Sequence, residues 1–91
     1  MPKFVIEREI AGLGTFTPEE MRATAQKSRA VLAELSPRVQ WLQSYVTDDK
    51  MYCVYIADDA ELVREHARRG GFPADHVAVV SQTIDPTTAE A

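Results

Sequence analysis

Two runs rich in β-forming residues, Arg38 to Thr47 and Lys50 to Ala57, are separated only by Asp48-Asp49. Two residues cannot carry a crossover, so the runs must pair antiparallel as a hairpin. Aspartate suits the turn because its side chain bonds nearby backbone. With a two-residue loop Thr47 stands opposite Lys50. The register then sets Val46 against Met51, Ser44 against Cys53 and Leu42 against Tyr55 on one face. Because side chains alternate with a period of two, the other face carries Val39, Trp41, Gln43 and Tyr45 against Tyr52, Val54 and Ile56. Neither face reads as solvent-facing.

On both sides of the hairpin the pattern switches to a helical period and then back to a strand. Upstream, Thr17-Pro18-Glu19-Glu20 offers an N-cap threonine, proline at the first helical position and glutamate three residues after the cap. Met21, Ala25, Ser28, Leu32 and Leu35 follow as one stripe, and Ser36-Pro37 ends the helix. Downstream, Asp58 or Asp59 opens a second helix, with Asp58 and Glu61 at capping-box spacing. Its inner stripe is Leu62, Val63, His66 and Ala67, and Gly70-Gly71 ends it. The outermost runs, Lys3 to Ile10 and His76 to Ile84, are strands. The order β-α-β-β-α-β predicts an α+β, ferredoxin-like plait: a four-stranded antiparallel sheet with two helices on one face. Right-handed crossovers place the first strand in the middle, beside the third and the fourth. Residues 1–84 form the domain, and 85–91 a flexible C-terminal tail.

A chain of 91 residues buries only about 60 to 65% of its unfolded surface, so a second subunit would stabilise it. The sheet face without helices, carrying Trp41, Tyr45, Tyr52, Val54 and Ile56, is a large apolar patch of the kind that marks an interface or ligand groove. The expectation is a homodimer with its open faces together, enclosing a cleft. A net charge of −4 and pI near 5.0 argue against nucleic acid or anionic membrane as partners. The RNA-binding motif that can accompany this topology is also missing. No apolar run suggests a signal peptide or membrane span, and the single cysteine, Cys53, fits a reduced, cytoplasmic setting.

The first strand, FVIEREI, carries Glu7, Arg8 and Glu9 at its centre. Alternation sends Phe4, Ile6 and Arg8 toward the helices, and Val5, Glu7 and Glu9 to the open face. A carboxylate beside Trp41, Gln43, Tyr45 and Tyr52 needs a donor or a cation. This makes Glu7, Arg8, Trp41, Gln43, Tyr45 and Tyr52 the ligand-cleft candidates, with Arg8 as structural counter-charge to Glu7 and Glu9 at the rim. No HxxxH, CxxC or HExxH spacing is present, so a metal site has to be assembled in space, across the dimer, from Glu7, Glu9, His66 or His76. Carboxylate and imidazole suit nickel or zinc. Plainer readings stand beside these: His66 as a packed helix residue, His76 as an exposed loop residue, Cys53 as a small buried hydrophobe, and the aromatics as dimer core. No strained GxSxG turn supports a triad through Ser44 and His66, and Gly12-Leu13-Gly14 is too short for a phosphate loop.

The blocks Gln40-Trp41-Leu42-Gln43-Ser44-Tyr45-Val46, Lys50 to Ala57, Val63-Arg64-Glu65-His66-Ala67 and Gly71-Phe72-Pro73-Ala74, with Phe4 to Arg8, resemble a family of small bacterial proteins long catalogued as of unknown function, the DUF4242 type. The resemblance implies a ferredoxin-like fold, a dimer and, from one branch described as nickel-binding, Ni2+ or another divalent transition metal. That branch has a histidine on its first strand near the position of Arg8 or Glu9, where this chain has none. His66 is the position that falls where a branch histidine aligns. Two functions follow as expectations. The first is a homodimeric protein that binds a small ligand or metal ion in or beside the open-face cleft. The alternative is a small cofactor-independent isomerase or monooxygenase in which Glu7 or His66 transfers a proton.

Overall fold

The hairpin around Asp48-Asp49 organises the sheet. The computed structural model describes residues 1 to 90, so Ala91, the last residue of the expected tail, lies outside the described residues. The strands β1 (Lys3–Glu9), β2 (Val39–Val46), β3 (Lys50–Ala57) and β4 (His76–Val79) form one antiparallel sheet in the order β2-β3-β1-β4. The helices α1 (Pro18–Leu35) and α2 (Ala60–Gly70) pack on one side of it. As the crossover rule requires, β1 is central. Among the described residues, no helix is long and apolar enough to cross a membrane.

Each helix begins where its side chains can satisfy the first free backbone amides. Thr17 Oγ1 accepts from Glu20 N at 3.1 Å, and Thr17 N donates to Glu20 Oε1 at 2.9 Å, completing the capping box. Asp59, not Asp58, caps α2, its Oδ1 accepting from Leu62 N at 3.0 Å. Asp58 is instead engaged by Arg38 Nε at 3.2 Å. At the far end Gly71, with φ of 70°, takes the left-handed C-cap, a conformation that glycine adopts without the Cβ clash. Replacing Thr17 by alanine removes the cap acceptor and is expected to destabilise the fold by about 1 kcal/mol. A thermal melt should register this as a fall in Tm of about 4 to 8 °C.

The core lies between sheet and helices, built on Phe4, Ile6, Val39, Cys53, Tyr55, Ala57 and Val63, with Leu32, Leu35 and Leu62 packed against it. Val31, outside the stripe expected for α1, is also buried. The loop after β1 is tied to the hairpin turn: Ile10 N and Gly14 N donate to the carbonyls of Asp49 and Asp48 at 2.9 and 2.8 Å. A Cβ on Gly14 would fall 2.9 Å from Asp48 Cα, so this approach requires glycine.

Two expectations fail here. The fourth strand, expected to reach Ile84, ends at Val79. Its partner β1 begins at Lys3, whose carbonyl accepts the last bond, from Val80 N at 2.8 Å, and beyond it no β1 backbone is left to pair. The hairpin register is as expected for Val46 with Met51 and Ser44 with Cys53, but a β-bulge between Trp41 and Gln43 makes Trp41, not Leu42, the partner of Tyr55. One extra residue reverses the faces of everything before it. Trp41 and Val39 therefore join the helix-covered side, and Leu42 is left exposed. In the expected tail, Pro86–Glu90 forms a short 3₁₀ turn, led by Asp85, whose Oδ1 accepts from Thr87 N at 2.8 Å.

Candidate functional site

The sheet divides the sequence-predicted residues into two groups. Cross-strand partners share a face, and the registers build the open face as rows. One row runs across all four strands: Tyr45, Tyr52, Glu7 and His76. The neighbouring row is apolar but for its end, with Gln43, Val54, Val5 and Ala78. Gln43 Nε2 donates to the hydroxyl of Tyr45, which is 56% exposed. Glu7, Gln43, Tyr45, Tyr52 and His76 thus lie together, with Glu9 farther along β1 on the same side.

The counter-charge of Glu7 is Lys50, not Arg8. Lys50 Nζ lies 2.7 Å from Glu7 Oε1 and 3.9 Å from Glu9 Oε1, and this hydrogen bond, with the charge of Glu7, raises the Lys50 pKa. Lys50 pairs directly with Glu9 in the β1–β3 register, which brings its amine back over the face. Sequence reading passed over Lys50 because it opens a strand beside a turn. The register that sets Thr47 against Lys50 is nevertheless the signal from which its position could have been found.

Arg8, Trp41 and His66 occupy the covered side. Arg8 is only 2% exposed. Its Nη1 donates to the Pro73 carbonyl, its Nη2 donates to the Tyr55 hydroxyl at 3.4 Å, and its guanidinium lies 5.6 Å from the Phe72 ring centroid. Gly70 makes room for that ring, since a Cβ there would collide with Phe72 Cε2. Burial, with Cys53 adding to it, pushes the Tyr55 hydroxyl up to about 12 against the opposing pull of Arg8, so Tyr55 stays protonated.

His66 is fully buried between Tyr55 and Phe72, with ring centroids 5.2 and 5.7 Å away. Its Nε2 is 3.1 Å from Ser28 Oγ, and its Nδ1 has no partner among the described residues. Burial, reinforced by the positive charge of Arg8, lowers its pKa to about 4. It is a neutral core histidine, walled off from Glu7, Glu9 and His76 by the sheet. Cys53 is buried, with Ile6 and Ser44 as its cross-strand partners.

A cavity of about 200 Å³ lies between α1 and the sheet, bounded by Met21, Ala25 and Ser28 on the helix and by Arg8, Trp41 and Tyr55 on the strands. Sequence reading placed the cleft on the other face. Its walls depend on the bulge at Leu42, which turned Trp41 inward, and nothing in the local residue types announces that bulge.

Strand order and helix placement define a ferredoxin-like α+β protein whose polar residues are divided between the two faces of one sheet. Residues 4–80 match the family model described as nickel responsive protein SCO4226-like, and the chain belongs to that family. The match carries that description and not the DUF4242 label. A solved structure, described as the crystal structure analysis of SCO4226 from Streptomyces coelicolor A3(2), is similar with a TM-score of 0.75 at 22% identity, covering 90% of this chain and 99% of that one. At that identity the likeness speaks for the fold. No curated protein matches the chain.

Proposed function

We propose that this protein is a homodimeric nickel-binding protein whose site is made at the open face from residues of both chains. The observation that carries the reading is the direct cross-strand pairing of Glu7 with His76, in a chain whose family is described as nickel responsive. Carboxylate oxygen and imidazole nitrogen are donors that nickel accepts. One chain alone does not fit the metal: among the described residues no three His, Cys, Asp or Glu side chains come together as ligands. A second copy facing the first would double the Glu7 and His76 donors, with Glu9 beside them. Lys50 has to give up Glu7 for the carboxylate to ligate.

Dimerisation through the open face has separate support. The chain exposes 6025 Å², against about 5,300 Å² for a compact monomer of its mass. Part of the excess is the half-buried row Val5, Val54 and Ala78, and part is the exposed segment after Val80. The alternative of proton-transfer catalysis gains no support from the geometry, because neither Glu7 nor His66 lines the cavity between α1 and the sheet.

Titrating the metal-free protein with Ni2+ by calorimetry tests the reading. Saturable binding at fewer ions than chains is expected. In His76→Ala it should weaken by more than the about 10-fold typical of altered outer-shell contacts, while His66→Gln leaves it unchanged. Absence of heat at micromolar protein, or an unaffected His76→Ala variant, would remove the site proposed.

A further inference from the structure

We propose that the cavity between α1 and the sheet binds a small apolar monocarboxylate, with the Arg8 guanidinium as its anion anchor. The inference is independent of the nickel reading, because the cavity lies on the other side of the sheet.

The argument is an accounting of polar valences. Arg8 is 2% exposed, yet no carboxylate lies within ion-pair distance of it among the described residues. A buried charge is ordinarily paired. Guanidinium has five N–H donors, and only two are spent, on the Pro73 carbonyl and the Tyr55 hydroxyl. The other polar groups on the cavity wall are already engaged. Thr24 Oγ1 donates to the Glu20 carbonyl at 3.0 Å, Ser28 Oγ is bonded to His66 at 3.1 Å, and Trp41 Nε1 donates to Ser44 Oγ at 3.0 Å. What remains for an occupant is the positively charged fork of Arg8, with the Tyr55 hydroxyl proton beside it, amid apolar side chains. This selects an anion with a single planar head, which a guanidinium grips in two parallel bonds, on an apolar body.

Size narrows the body. Benzene fills an engineered apolar cavity of about 150 Å³. The cavity here, about 200 Å³, therefore suits one ring or a short branched chain together with a carboxylate. The bulge at Leu42 is a second, independent feature of the same place: it departs from the regular hairpin and in doing so turns Trp41 into the cavity wall. Bulges re-aim side chains at binding sites in this way.

The test is a calorimetric titration of the full chain with benzoate, phenylacetate and hexanoate, and with phenylacetamide as the uncharged counterpart. Emission from Trp41, the only tryptophan, serves as a second signal. At least one of the acids should saturate one site per chain and shift the emission, and should bind about 10-fold or more tightly than its amide. In Arg8→Met the best acid should bind no better than the amide does. Ala25→Phe, which fills the cavity from α1 and leaves Arg8 in place, should abolish acid binding, and this holds whether or not Arg8→Met folds. The proposal is overturned if none of the acids saturates up to about 10 mM, if acid and amide bind the wild type equally, or if Ala25→Phe binds as well as wild type.

Discussion

Acidification from pH 7 to pH 4 is expected to remove about 3 kcal/mol of folding stability through one imidazole, that of His66. Unfolded, this histidine titrates near 6.5. Folded, burial and then the Arg8 charge bring it to about 4. Between those values the unfolded chain binds the extra proton and the folded chain does not, so stability falls as pH falls. The contribution is fully present above about 6.5 and fully lost below about 4. The local geometry says why: the imidazolium carries an N–H on both ring nitrogens, and while Nε2 has Ser28, Nδ1 has no acceptor among the described residues. Urea unfolding of wild type and His66→Gln at about pH 7 and about pH 4.5 isolates the effect, because surface carboxylates titrate alike in both and cancel. Wild type should lose markedly more stability over this interval than the variant. Parallel losses would show that His66 is not the proton-sensitive group.

The same histidine illustrates what the sequence conveys. Its place on the inner stripe of α2 was legible from the 3.6-residue period, as was the capping box at Thr17, because both are local rules acting within a few residues. The order of elements and the central position of β1 followed from such signals together with the handedness of crossovers. The hairpin register was legible as far as Ser44 and failed at Leu42, where one extra residue undid the alternation. Trp41 consequently lies on the covered side, against the expectation that it lines the open face. Period also assigned Arg8 to the helix side, but its partners were out of reach of any local rule: the Pro73 carbonyl that it bonds is 65 residues away in the chain. Lys50 and Glu7, 43 residues apart, meet for the same kind of reason. Faces of strands are written in short stretches, whereas pairings across the fold depend on register and on loops that close over them.

Replacing Val54 by aspartate is expected to convert the proposed dimer to monomer. Val54 sits on the open face between Gln43 on β2 and Val5 on β1, half-buried in a single chain. In the free monomer an aspartate there remains in reach of water, so the fold itself should survive. In a dimer with open faces together, two carboxylates would be drawn out of water without a partner. A buried unpaired charge is worth about 3 kcal/mol or more, which raises the dimer dissociation constant about 100-fold or more. Sedimentation should therefore show wild type as a dimer and Val54→Asp as a folded monomer, its far-UV circular dichroism unchanged. The variant also separates the two binding proposals. Nickel binding at the proposed two-chain site should disappear with the dimer. Carboxylate binding at Arg8, confined to one chain, should persist in the monomer. A wild type that sediments as a monomer at about 100 μM, well above the range of stable association, would refute the dimer and with it the two-chain metal site.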